Sequence, residues 1–188
     1  MSPAIRVRTP GELRASRRRR AHRCWGHLLA APLWPLHGAN LGTLLRTCDA
    51  VGACLAVPRF PWVPEALRRG NTLRPPVARH HPQRNSALSQ FNACVHWVND
   101  PLGWLARERE AGSAVVGVEL ADESIRLADL PAARGRTIVV LGHEQHGVPP
   151  DALDLLDSVV EIPMVGTGSS LNVAVAGSLV LYKLAGLV

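Results

Sequence analysis

Three short segments of this 188-residue chain combine polar side chains and glycines at spacings that suit a ligand site. The first, Asn40-Leu41-Gly42-Thr43-Leu44-Leu45-Arg46, sets a carboxamide and a guanidinium nearly two helical turns apart, where both can face one side. The second, Leu141-Gly142-His143-Glu144-Gln145-His146-Gly147, is a glycine-bounded loop. The third runs from Ile162-Pro163-Met164 through Gly166 and Gly168 to Ser170-Leu171-Asn172-Val173-Ala174. Glycine lets a backbone approach closely or take a positive φ. Together the three imply a pocket walled mainly by main-chain amides and carbonyls. His143 and His146 flank Glu144, but in a loop and not as the H-E-x-x-H helix of a zinc protease. Cys24, Cys48, Cys54 and Cys94 contain no C-x-x-C pair, so neither a metal site nor a disulfide framework is expected.

Short apolar runs alternating with helical stretches must position these loops. Leu28–Leu36 is an apolar run, and Asn40 is expected to N-cap a helix through about Ala50. Strands are expected at Ala53–Val57, Ala114–Leu120, Thr137–Leu141 and Val159–Ile162. Helices are expected at Pro101–Glu110, Asp151–Leu156 and Ser170–Leu184. Residues 58–100 hold six prolines and read as mostly irregular, with a short helix at Glu65–Arg69. Alternation of this kind predicts an α/β fold, a mostly parallel sheet with helices on both faces. In such sheets ligands bind beyond the carboxyl ends of the strands, where all three segments fall.

The length suits one packed domain, expected over 26–188 behind a basic arm of residues 1–25. No run approaches the roughly 20 apolar residues that span a bilayer, and the first 23 residues lack the apolar centre of a signal peptide, so a cytoplasmic protein without a membrane partner is expected. The net charge of +6 is uneven: +7 over residues 1–23, +4 over 24–110 and −5 over 111–188. Arg17, Arg18, Arg19 and Arg20 form a run that would attract a phosphate backbone or, alternatively, be a solvated tail. Trp97 and Trp104 read as partly buried aromatics or as stacking partners for an unpaired base, and His80-His81 as loop residues.

The three segments, correctly ordered, resemble motifs one, two and three of the SpoU/TrmH branch of the SPOUT methyltransferases. The resemblance rests on Asn40, Gly42 and Arg46; on Gly142, Glu144 and Gly147; and on Ile162-Pro163-Met164 with Ser170-Leu171-Asn172-Val173-Ala174-Val175-Ala176. It covers about residues 28–184. His143 departs from it, standing where the family often has Asn.

The resemblance implies an S-adenosylmethionine-dependent RNA ribose 2′-O-methyltransferase, a homodimer with active sites at the subunit boundary, whose carboxyl-terminal segment forms a deep trefoil knot. Arg46 would meet the ribose hydroxyl and Asn40 would organise its loop. A guanidinium with a pKa above about 12 makes a poor base, so Arg46 would orient the hydroxyl and stabilise the developing alkoxide while the proton leaves to phosphate or water. The other reading of Arg46 is a helix-surface salt bridge to Asp49 or Glu65. The resemblance places the cofactor against Leu120, Leu141, Gly142, Gly147, Ile162, Met164, Leu171 and Asn172. Glu144 would shape the cofactor loop or meet RNA, and Ser170 and Asn172 would hold the knot loop or touch substrate, although capping of the last helix explains them almost equally well. The apolar face of Val173, Val175, Ala176, Leu179, Val180 and Leu184 is explained by knot packing with a dimer contact, or by core burial alone. Transfer RNA is favoured over ribosomal RNA, grasped by the arm and by Arg68, Arg69, Arg74, Arg79 and Arg84.

Two other classes stay open. One is a non-catalytic RNA-binding protein on this fold, while a ribosomal RNA substrate with a resistance role is an alternative within the methyltransferase reading. The other is a doubly wound nucleotide-binding enzyme, against which the absence of a G-x-G-x-x-G fingerprint counts.

Overall fold

The computed structural model describes residues 9, 27–69 and 95–188, with backbone alone at 68 and 69. Arg17 to Arg20, Arg74, Arg79, Arg84, His80-His81, Cys24 and Cys94 lie outside the described residues, and the side chains of Arg68 and Arg69 are likewise not described.

Among the described residues seven strands pair side by side, every ladder parallel: β1 (Leu28–Pro32), β2 (Cys54–Pro58), β3 (Val95–Val98), β4 (Ala114–Val118), β5 (Ile125–Arg126), β6 (Thr137–Leu141) and β7 (Ser158–Glu161). Their order is β3-β2-β1-β6-β4-β7-β5. The helices are α1 (Gly38–Val51), α2 (Val63–Arg69), α3 (Pro101–Glu110), α4 (Pro150–Leu153) and α5 (Val173–Leu184). The central strands read as unbroken apolar runs because both of their faces are covered. Leu28 and Ala30 of β1, with Val139 and Leu141 of β6, join one core cluster with residues of α1, α2 and α5. Leu29, Ala31, Ile138 and Val140, the alternate residues, join the other with Leu105 of α3 and Ala152 of α4. Period-two alternation thus divides each strand between two layers of helices.

Several expected boundaries shift for physical reasons. The cap of α1 is His37, without a side-chain cap bond, and Asn40 sits inside the first turn, since its carboxamide is engaged elsewhere. Helix α5 begins at Val173 and not Ser170, because Asn172 is the cap: its Oδ1 accepts from the amides of Ala174 (2.9 Å) and Val175 (3.2 Å). Strand β4 stops at Val118, before Leu120, and α4 ends at Leu153, before Leu156. Strand β7 covers Ser158–Glu161, leaving Ile162 in the loop. Strand β3 lies within the stretch read as irregular, so Trp97 is a strand residue, and β5 was not anticipated. Both are short and at the sheet edges, where half-exposed residues leave little periodic signal. Cys48 and Cys54 are both buried. No helix among the described residues is long and apolar enough to cross a membrane.

Candidate active site

The cleft opens at the carboxyl ends of β4, β6 and β7 and is closed by the start of α5. The loop after β6 is a tight turn, since His143 and Gly147 exchange both main-chain hydrogen bonds at 2.8 Å. Gly147 has a φ of 67°, and a Cβ at Gly142 would overlap the Gly147 carbonyl group, so glycine is required at both ends. Within the turn the His143 and His146 rings stack with centroids 4.7 Å apart, and His143 Nδ1 accepts from the Gln145 amide at 3.1 Å. Glu119, immediately past β4, holds the loop from beneath: its Oε2 accepts from the Val148 amide and its Oε1 from the Leu120 amide, both at 3.1 Å.

One chain of hydrogen bonds then ties the three sequence segments together. Glu144 reaches from the turn to the start of α1, where its Oε2 accepts from the Leu36 amide (2.7 Å) and its Oε1 from the His37 amide (3.0 Å) and from Asn40 Nδ2 (2.9 Å). These two amides precede Gly38, the first helical residue, so the carboxylate anchors the chain's entry to α1 and lies near the positive end of the helix dipole, without capping it. Partial burial pushes the Glu144 carboxyl up, but the hydrogen bonds from Asn40, Leu36 and His37 outweigh it, and its pKa falls below the usual carboxylate value. Asn40, only 8% exposed, continues the chain: its Oδ1 accepts from Asn172 Nδ2 at 3.1 Å. Asn172 at the same time caps α5.

The resulting cleft measures about 570 Å³ and lies within the range of cofactor pockets. Leu120, Leu141, Gly142, Gly147, Ile162, Met164 and Leu171 all line it, as do Glu144 and Ser170. Asn172 does not: it lies between two lining residues, Leu171 and Val173, with its carboxamide spent on the cap and on Asn40. Glu119 and Glu161 line it too and went unnoticed in the sequence, although a carboxylate at a strand's carboxyl end is a signal that could have found them. Glu161 is partnered by Arg126 at 3.5 Å. The main chain of a tight turn together with apolar side chains and carboxylates fits a ligand with an apolar part and a polar part. Among the described residues no group of three metal-ligating side chains is present.

Arg46 stands apart. Six residues at about 100° each put it some 120° around α1 from Asn40, so the two diverge and do not share one side. Asn40 points inward, whereas Arg46 is exposed and forms no ion pair with Asp49, Glu65 or any other described residue. Its neighbour Thr47 is bonded to Ser178 of α5 (Oγ1 to Oγ, 2.8 Å), which places Arg46 beside the seam between the two helices. Along α5, Ala176, Val180 and Leu184 are buried, while Val175 and Leu179 are 44% and 41% exposed. The apolar face is therefore split between core and surface.

A family model described as the SpoU rRNA Methylase family matches residues 35–182. The tRNA (guanosine(18)-2′-O)-methyltransferase of Aquifex aeolicus is 27% identical over 149 residues, 77% of this chain and 62% of that one. The enzyme of the same name from Escherichia coli K12 is 33% identical, over 77% of this chain and 56% of its own. This chain thus spans about three fifths of the length of those relatives. The crystal structure of the A. aeolicus TrmH/SpoU tRNA modifying enzyme superposes with a TM-score of 0.69 at 24% identity, covering 94% of this chain and 83% of that one. The SpoU methyltransferase AviRb of Streptomyces viridochromogenes gives 0.64 at 26% identity, covering 86% and 58%. The matched span contains every member of the Glu144, Asn40 and Asn172 chain and the whole cleft they brace, and on that ground the chain belongs to the SpoU rRNA methylase family.

Proposed function

We propose that the protein is an RNA 2′-O-methyltransferase that uses S-adenosylmethionine, with transfer RNA as substrate, and that it works in the cytoplasm as a homodimer. The observation that carries this reading is the hydrogen-bonded chain from Glu144 through Asn40 to Asn172, which draws three segments far apart in sequence into one cleft. Two further findings support the cofactor and the substrate. A solved structure of AviRb is a complex with AdoMet, and the curated relatives described above act on guanosine 18 of tRNA. A ribosomal RNA substrate is the weaker alternative.

The cofactor would lie among Leu120, Leu141, Gly142, Gly147, Ile162, Met164 and Leu171. The apolar side chains suit the adenine ring, and the amides and carbonyls of the glycine-bounded turn suit its polar edge. Held there, S-adenosylmethionine would supply an electrophilic sulfonium methyl group to a ribose 2′-oxygen, leaving S-adenosylhomocysteine, while the hydroxyl proton would pass to phosphate or water. Asn40 and Glu144 hold the cleft in shape. Arg46 orients the ribose hydroxyl and an adjacent phosphate and stabilises the charge that develops on oxygen.

Arg46 is exposed and outside the cleft, a position that suits a site shared with a second copy of the chain. The exposed Val175 and Leu179 on the adjoining helix supply an apolar surface for a second copy of the chain, which supports a homodimer with the site at the subunit boundary. The knot, with α5 threaded through the preceding loop, is part of the same proposal.

The test is Arg46→Ala assayed with radiolabelled S-adenosylmethionine and unfractionated tRNA. Methyl transfer is expected to fall at least about a hundredfold, while cofactor affinity by calorimetry stays within about twofold. Loss of cofactor affinity with transfer preserved would contradict the assignment. Absence of transfer by the unaltered protein to any RNA would favour a non-catalytic RNA-binding role.

A further inference from the structure

Beyond the cleft, the carboxyl edge of the sheet carries a second group of residues with a chemistry of its own. The turn Arg59-Phe60-Pro61-Trp62 follows β2 directly and leads into α2, with the Val63 amide donating to the Phe60 carbonyl at 3.1 Å and the Ala66 amide to the Trp62 carbonyl at 3.0 Å. Phe60 and Trp62 are 41% and 39% exposed and belong to neither core cluster. Their rings stand side by side, centroids 6.4 Å apart and tilted by 33°. Single exposed apolar residues are ordinary on protein surfaces, but two neighbouring exposed aromatics in one turn that begins with an ordered arginine are a more specific arrangement.

That guanidinium is Arg59. It lies over the Trp97 ring, 5.7 Å from the centroid, and its Nε donates to Asn99 Oδ1 at 3.0 Å. Its side chain is thereby held in one place while remaining exposed. The group lies beside the start of α1, where a Cβ added at Gly38 would be 3.8 Å from Trp62 Cζ3. Gly38 follows His37, whose amide is bound by Glu144. The turn also belongs to the part of the chain with positive charge, not to the acidic remainder.

We propose that Phe60 and Trp62 form a stacking platform for an unpaired base that flanks the methylated nucleotide, and that Arg59 holds the phosphate next to that base. The proposal rests on the RNA substrate inferred above and names a subsite for it. Every base has a π-face, so a platform of this kind grips single-stranded nucleotides whatever their sequence, and it places the ribose without touching the reacting atoms. Phe60, Trp62 and Arg59 are accordingly positioning residues.

The test uses the full chain, binding of unfractionated tRNA by filter retention across a salt series, and methyl transfer from labelled S-adenosylmethionine. Trp62→Leu keeps apolar bulk without a π-face, and Trp62→Phe keeps the π-face, so the pair separates stacking from folding. Trp62→Leu is expected to weaken RNA binding about tenfold and to raise KM for RNA more than it lowers kcat, with cofactor affinity unchanged, while Trp62→Phe retains most of the binding. Arg59→Ala is expected to lower the slope of log affinity against log salt by about one, and neither Trp62 variant to move it. Equal RNA affinity for the Leu and Phe variants would overturn the platform. So would unchanged RNA binding accompanied by lost self-association in sedimentation, which would make the patch a protein contact. If the unaltered protein binds RNA with this Trp62 dependence but transfers no methyl group, the enzymatic reading fails and the platform stands.

Discussion

At the scale of single residues the site turns on Glu144. Resemblance alone leaves it between shaping the cofactor loop and meeting RNA, and the structure spends its carboxylate on three donors at the start of α1. Replacing it by Gln removes the charge and turns one acceptor into a donor facing donors. Glu144→Gln is therefore expected to cost about 1 kcal/mol of stability, towards the lower end for amides left unpaired because the site is only partly buried. The pH dependence follows from the direction of its shift. A carboxyl whose pKa is lower in the folded protein contributes stability that is present above the unfolded pKa and lost as pH falls through the folded one. The gap in thermal midpoint between the unaltered protein and Glu144→Gln should be constant from neutral pH down to the usual carboxylate range and close only below it. A gap that closes near neutrality would mean that a histidine, such as one of the stacked pair, carries the effect instead. Cys48 offers a contrast, since full burial pushes its thiol up to about 12 and leaves it without chemistry.

At the scale of elements, α1 and α5 pack so closely that side-chain volume at their contact is limiting. Gly177 lies in the middle of α5, where a Cβ would come within 2.6 Å of Leu141 Cδ1 and 3.0 Å of Leu44 Cδ2, both fully buried. Leu141 also ends β6 at the cleft. Gly177→Val should destabilise by about 2 kcal/mol through overpacking, lowering the thermal midpoint by roughly 6 °C, and should weaken S-adenosylmethionine binding measured by calorimetry. A variant as stable as the unaltered protein would show that the helices have room to separate. The main elements were legible beforehand because Leu28 to Pro32, Thr137 to Leu141 and the run from Val173 to Leu184 are long, apolar and bounded by glycine, proline or a cap. Strands β3 and β5 were not, being short and at the edges. The start of α1 was misjudged at Asn40 because a residue type that often caps helices was here recruited by Glu144 and Asn172, partners 104 and 132 residues away.

At the scale of the whole molecule, the question is what covers the outward side of α5. Val175 and Leu179 lie one turn apart, on the helix that is bonded through Ser178 to the neighbour of Arg46. In the proposed homodimer this face is buried, so Leu179→Glu should yield a monomer by analytical ultracentrifugation and lose methyl transfer, with the thermal midpoint little changed. A variant that remains dimeric, or a monomer with full activity, would separate the site from any subunit contact.

The amino-acid sequence by itself determined the α/β class, the parallel sheet and the three segments that converge, because periodicity and glycine placement are local properties that a chain displays without folding. Tertiary structure alone decided how the segments meet. The choice of Glu144 as the anion at the head of α1, the recruitment of Glu119 beneath the turn, the inward course of Asn40 and the outward course of Arg46 each depend on which distant group arrives opposite, and contact across the sheet leaves no period in the sequence to be read.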